Sequence, residues 1–148
     1  DKVYYGEEEL GKYRGRLYGV ALDVGTTTMV LELVDLETGG SRCVESFENP
    51  QRFGGSDIMT RISYDGGEHK GELHTAIVNT FNTVVREMCA ELGVSRHEIY
   101  EILVVGNTTM RDLFFGLDVR DGFLVLILPY YLLLSADLCI KKTGHRAT

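Results

Sequence analysis

Apolar and polar positions change rhythm several times along this chain, and each change marks a predicted element. Between Leu17 and Asp23, Val20, Leu22 and the following Val24 fall on one side of a two-residue alternation, with Gly19 and Ala21 on the other. Side chains of a strand point alternately to its two faces, so this spacing predicts a strand buried on both, one face admitting close packing. A second apolar run, Met29 to Asp35, follows after only Gly25, Thr26, Thr27 and Thr28. Two strands so closely joined form a hairpin. The segment Asp35 to Gly40 has the residues of a reversing turn, and Arg42 to Phe47 alternates with enough polar content to predict a third strand at a sheet edge.

The period then becomes helical. Glu48 to Ser56, ENPQRFGGS, is too rich in Asn, Pro and Gly to be regular and reads as an ordered loop. Ser56 is expected to cap a short helix, with Asp57 in its first turn, Ile58, Met59 and Ile62 inward, and Asp57 paired with Arg61 at i,i+4. A longer helix is clearer: Leu73, Ile77, Phe81, Val84, Val85, Met88 and Leu92 keep helical spacing up to Gly93, a C-terminal cap. His74 is expected at its surface. Ser95 to Glu98 fits a capping box that opens a short turn. The run Ile102 to Val105, bounded by Gly106, predicts a buried strand returning parallel to the first through a right-handed crossover. Met110 to Phe115 reads as a helix closed by Gly116. The predicted class is α/β, in the order β-β-β-α-β-α, with a mixed sheet.

Residues 1–16 show no sustained period and read as a linker or the end of a preceding domain; residues 17–120 form the globular unit. From Asp121 the character changes. Phe123 to Leu128 and Tyr130 to Leu134 are split by Pro129, too interrupted for a membrane span of about 20 residues. That stretch reads either as a buried strand or as an aggregation-prone end lacking its partner, and residues 121–148 stand apart as a tail, truncated or non-native.

Composition narrows the function classes. With 148 residues, 44% of them hydrophobic, the chain suffices for one core. A formal charge of -7 argues against a nucleic-acid partner or an anionic membrane surface. Cys43, Cys89 and Cys139 are widely spaced with no C-x-x-C, which points to neither disulfides nor zinc but to reduced thiols in a cytoplasmic protein. The charged N-terminus lacks the apolar core of a signal peptide.

Candidate chemistry concentrates in two loops. Gly25 lets the backbone approach a ligand, and Thr26, Thr27 and Thr28 add hydroxyls to the N–H groups of the same turn, a combination suited to phosphate oxygens. Asp23 at the strand end repels bare phosphate but becomes useful when a magnesium ion and its waters lie between them. The plainer alternative is a hairpin whose threonines merely favour strands. Gly106, Asn107, Thr108 and Thr109 follow the parallel strand, and ligands of open α/β sheets gather outside the carboxyl ends of such strands, so both loops are expected to face one cleft. Here the alternative is helix capping by Thr108 or Thr109.

The segment Asp23 to Thr28 resembles the first phosphate loop, Asp-x-Gly-Thr between two strands, of the actin, sugar kinase and heat-shock chaperone superfamily. More closely, GVALDVGTTT, the Asn49 to Ser63 segment NPQRFGGSDIMTRIS and the Val104 to Leu117 segment VVGNTTMRDLFFGL resemble the reductive activators of corrinoid iron-sulfur proteins. The resemblance spans about Leu17 to Val119. It implies a ribonuclease H-like, actin-like ATPase half-domain that uses ATP and magnesium to drive electron transfer to cob(II)alamin. A two-iron ferredoxin-type cluster is implied in the parent protein, not in this chain. Implied partners are a corrinoid iron-sulfur or corrinoid methyltransferase protein, the second half of the ATPase domain and a second copy in a homodimer. The resemblance assigns Asp23 to magnesium-bound water and Gly25 to Thr28 to the β- and γ-phosphates. Asn107 and Thr108 fall near the γ-phosphate, flanked by Gly106 and Thr109, with Asn49, Gln51 and Asp57 as lesser candidates. Two alternatives stand beside it: a small-molecule kinase, although the loop at Asn107 offers no carboxylate and Asp112 lies on the following helix, and a docking module that presents Asn49 to Ser63.

Overall fold

The computed structural model describes residues 1–119 and, as backbone, residues 132–135. Lys2–Tyr5 (β1) and Glu8–Lys12 (β2) pair antiparallel in a sheet of their own. No strand was legible there because the pairing slips between Val3 and Tyr4, and an irregular register destroys the two-residue alternation that reveals a strand. The hairpin is tied to the rest by Tyr100, whose hydroxyl donates to Lys12 O at 2.8 Å and accepts from Arg14 N at 3.0 Å.

The main sheet holds Tyr18–Val24 (β3), Thr28–Asp35 (β4), Ser41–Glu48 (β5), Ile99–Gly106 (β6) and Leu132–Ser135 (β7) in the order β5-β4-β3-β6-β7. β3 and β6 run parallel; the other neighbours are antiparallel. The mixed α/β sheet, the meander and the edge position of β5 are as expected. Of the tail, only residues 132–135 are described, as the strand beside β6; the remaining expectations for residues 121–148 lie outside the described residues.

Three helices follow: Ile58–Asp65 (α1), Glu72–Leu92 (α2) and Thr108–Phe115 (α3), with short 3-10 turns at Pro50–Gly54 and Arg96–Glu98. The expected short and long helices, α1 and α2, both separate β5 from β6, one more helix than the order β-β-β-α-β-α counts there. α2 and α3 pack on a single face of the sheet, where Val20, Leu22, Val24, Leu31, Leu33, Ile102 and Val104 meet Leu73, Ile77, Phe81, Met88, Leu113 and Phe114 in one buried cluster. Phe81 and Phe114 meet edge-to-face at 5.8 Å between centroids, fixing α2 against α3. The opposite face of β3 is less covered than expected. Gly19 is buried beneath Leu36, but Ala21 is half-buried and Asp23 exposed, alongside exposed Val30, Val44 and Val105.

α1 corrects three local expectations. Its cap is Asp57, not Ser56: the carboxylate accepts from Thr60 N at 2.9 Å, and Thr60 returns the bond in a capping box. Met59 is 62% exposed, whereas Arg61 and Asp65 are buried, because the inward stripe runs through positions 58, 61, 62 and 65. Asp57 and Arg61 do not form the expected pair, since the carboxylate serves the cap and the guanidinium turns inward. α2 is as predicted, closed by Gly93 in the left-handed region at φ 62°. His74 is half-buried rather than superficial, its Nδ1 2.8 Å from Phe114 O on α3. Among the described residues no helix is long and apolar enough to cross a membrane.

Candidate functional site

The two Gly/Thr loops leave the sheet side by side. Val24 pairs with Met29 across the hairpin and with Gly106 on β6, so the turn 25–27 and the loop at Asn107 begin next to one another. Both glycines are required sterically. A Cβ at Gly106 would stand 2.9 Å from Val24 O, and one at Gly25 would collide with Thr28 O.

The turn is gripped from within by its carbonyls. Asn49, fully buried, donates from Nδ2 to Gly25 O at 2.8 Å, and its backbone N donates to Thr27 O at 2.8 Å. Arg61 Nη2 donates to Thr26 O at 2.6 Å. Three successive carbonyls thus point into the protein. No peptide bond here is cis, and in a trans peptide the N–H opposes the C=O of the same plane. The N–H groups of Thr26, Thr27 and Thr28 are therefore turned away from Asn49 and Arg61, and those of Thr26 and Thr27 meet no acceptor among the described residues. Thr27 and Thr28 are exposed and Thr26 half-buried, which puts hydroxyls beside this array. Successive N–H groups turned to one side are the kind of donor array that suits an anion.

Arg61 is 1% exposed. Its Nε donates to Gly55 O at 2.9 Å and its Nη1 lies 3.2 Å from Met110 Sδ, which Asn49 Nδ2 approaches at 3.8 Å. Burial lowers its pKa and the nearby charge of Asp57 opposes that shift. One buried junction therefore joins the turn, the Gly55 loop and the first turn of α3.

On the second loop, Asn107 Oδ1 accepts from Met110 N at 3.0 Å and caps α3. The capping expected of Thr108 or Thr109 falls to Asn107; the threonines are the first two helical residues, where backbone N–H groups lack intrahelical partners. Gly106, Asn107 and Thr108 are exposed and Thr109 half-buried. Asp23 is exposed at the end of β3, level with Val30 and Val105. Among the described residues no three His, Cys, Asp or Glu gather as a metal cage, but magnesium keeps several waters and needs only one or two carboxylates beside substrate phosphates. Asp23, exposed two residues ahead of Gly25, offers one such carboxylate.

The lesser candidates make bonds that hold the local structure. Asn49 Oδ1 accepts from Gln51 N at 2.9 Å, Gln51 Nε2 donates to Leu73 O at 3.3 Å, and Asp57 caps α1. Asp112 is buried with its carboxylate held by Arg111 at 2.6 and 2.8 Å. Arg61 is the contributor that sequence reasoning missed; its signal was a basic residue at the i+3 position of the helical stripe that Ile58 and Ile62 define.

Fold and site together define an α/β chain whose anion-suited turn and helix N-terminus meet at the carboxyl ends of two parallel strands. The chain belongs to the family described as RACo middle region, whose model matches residues 18–142. It is 33% identical over 106 residues to a corrinoid activation enzyme, RamQ, of Eubacterium limosum, covering 70% of this chain. It is 26% identical over 106 residues to a [Co(II) methylated amine-specific corrinoid protein] reductase of Methanosarcina barkeri, covering 71% of this chain. A solved structure of a reductive activator for corrinoid, iron-sulfur protein matches with a TM-score of 0.69 at 38% identity, over 74% of this chain. In each case the match spans 18% of the relative's length.

Proposed function

We propose that this chain supplies the first phosphate-binding half of the nucleotide site in an ATP-dependent reductive activator of corrinoid proteins, built as an actin-like ATPase half-domain. The relatives named for corrinoid activation and reduction support the role. The observation that carries the phosphate site is the outward N–H array of Thr26 to Thr28, held by Asn49 and Arg61 beside exposed Asp23.

In this reading Gly25 to Thr28 hold the β- and γ-phosphates, and Asp23 orients magnesium-bound water. Asn107 keeps its Oδ1 in the helix cap and presents its amide N–H₂ to the γ-phosphate, with Gly106, Thr108 and Thr109 completing the second wall through backbone and hydroxyl donors. Phosphoryl transfer depends mainly on positioning and charge stabilisation, which such donors provide. ATP, when bound, supplies the free energy for an uphill electron transfer to cob(II)alamin. The second half of the ATPase domain, a two-iron ferredoxin-type domain and a corrinoid protein complete the machinery, in the cytoplasm. A kinase reading is weaker because Arg111 already holds the Asp112 carboxylate.

Calorimetry of magnesium-ATP with this chain and with Asp23→Ala tests the reading. Heat from the chain that disappears in the variant is expected, with an unchanged circular dichroism spectrum because Asp23 is exposed. Absence of heat here and in a chain carrying both halves would overturn it in favour of a docking module.

A further inference from the structure

Arg61 presents an unusual balance. Among the described residues it heads the fully buried side chains by volume, yet its guanidinium contacts two carbonyls and a thioether and no carboxylate. Buried charges ordinarily pair with an opposite charge, because desolvation of an unpaired ion is expensive and neutral dipoles offset only part of it. Asp57 acts on it only at longer range. The Thr26 carbonyl, bonded to Nη2, belongs to the peptide whose N–H, on Thr27, faces the opposite side. Cation and peptide dipole are thereby aligned, and their combined positive potential emerges on the outer side of the turn.

We propose that Arg61 is a positioning residue for the phosphate chain. Its fork fixes the Thr26 peptide so that Thr27 N–H points at the ligand, and its buried charge finds its counter-ion in the polyphosphate on the far side of the turn. The proposal rests on the phosphate reading above and adds a specificity to it: selection for a ligand that carries β- and γ-phosphates, delivered from beneath the backbone without direct contact. The link through Met110 Sδ sets the second loop by the same side chain, since Met110 N is the group that Asn107 caps.

The test compares the wild-type chain with Arg61→Met, close in volume and uncharged, and Arg61→Lys, which keeps the charge without the fork. Calorimetry with the magnesium complexes of ATP and ADP and with AMP is joined to amide NMR of the ligand-free proteins. Arg61→Met is expected to weaken ATP about 10- to 100-fold, ADP less and AMP least, because the lost attraction acts on the β- and γ-phosphates that reach the turn, of which ADP carries one and AMP none. Arg61→Lys recovers part of the ATP affinity and guards against a Met variant that fails to fold. In both variants the amide signals of Thr26 to Thr28 should move while those of the opposite hairpin end, Val34 and Asp35, stay. A folded Arg61→Met that weakens all three nucleotides equally would leave Arg61 a structural brace only and overturn the proposal. Unmoved Thr26 to Thr28 amides would overturn it too. No heat with any nucleotide from the wild type or from a chain carrying both halves, alongside moving amides, would overturn the phosphate reading and with it the counter-ion role.

Discussion

Gly25 shows how much one missing carbon decides. A Cβ there would collide with the Thr28 carbonyl oxygen, so Gly25→Ala must open the turn and disturb the carbonyls that Asn49 and Arg61 hold. The expected cost is about 1–3 kcal/mol, read as a lower urea midpoint at unchanged m. At this scale the sequence was legible where chemistry is local. A glycine between two strand ends announces a tight turn, and threonines after it announce hydroxyls. Arg61 was not legible, because its partners lie 6, 35 and 49 positions away and only the assembled fold brings Gly55, Thr26 and Met110 within reach. Asn49 likewise finds Gly25 24 positions back.

Elements were legible in proportion to their regularity. α2 carries six turns of apolar spacing and a terminal glycine, and its bounds were readable almost to the residue. α1 is short, its inward stripe includes a cation and a carboxylate, and a hydrophobic count alone put Met59 in the wrong place. Its cap gives it a pH dependence. The bond from Thr60 N, with smaller contributions from the Thr60 hydroxyl, Met59 N and the Arg61 charge, holds the Asp57 carboxyl below its ordinary value. A carboxyl whose folded pKa is depressed contributes stability that is present above its unfolded pKa, about 3.9, and lost as pH falls through the folded value. Asn at this position caps without titrating. Urea midpoints followed from pH 6 to 2 should therefore fall more steeply for the wild type than for Asp57→Asn below about pH 4, and parallel curves would remove the cap as the cause.

At the scale of the whole molecule, the parallel crossover and the convergence of two loops followed from strand order, whereas the N-terminal hairpin did not, its irregular register hiding it. Tyr100 is the link described between that hairpin and the sheet. Tyr100→Phe should leave the main unfolding transition within about 1.5 kcal/mol while amides of residues 2–12 exchange faster, as mass-resolved hydrogen exchange would show. Uniform acceleration over the whole chain would mean instead that the hydroxyl supports the core. The pairing of Val24 with Gly106 carries a different implication, for the kinds of genetic change the molecule can absorb. One extra codon within Ile99 to Val105 would advance the Asn107 loop by about 3.3 Å and invert its facing, separating the two walls of the cleft although every functional side chain is still encoded. The same codon between Gly93 and Glu98 falls in the connection and leaves that alignment intact. Insertions and deletions in this lineage should accordingly collect ahead of β6 and be purged within it, so the spacing of the loops is inherited as a length rather than as a residue.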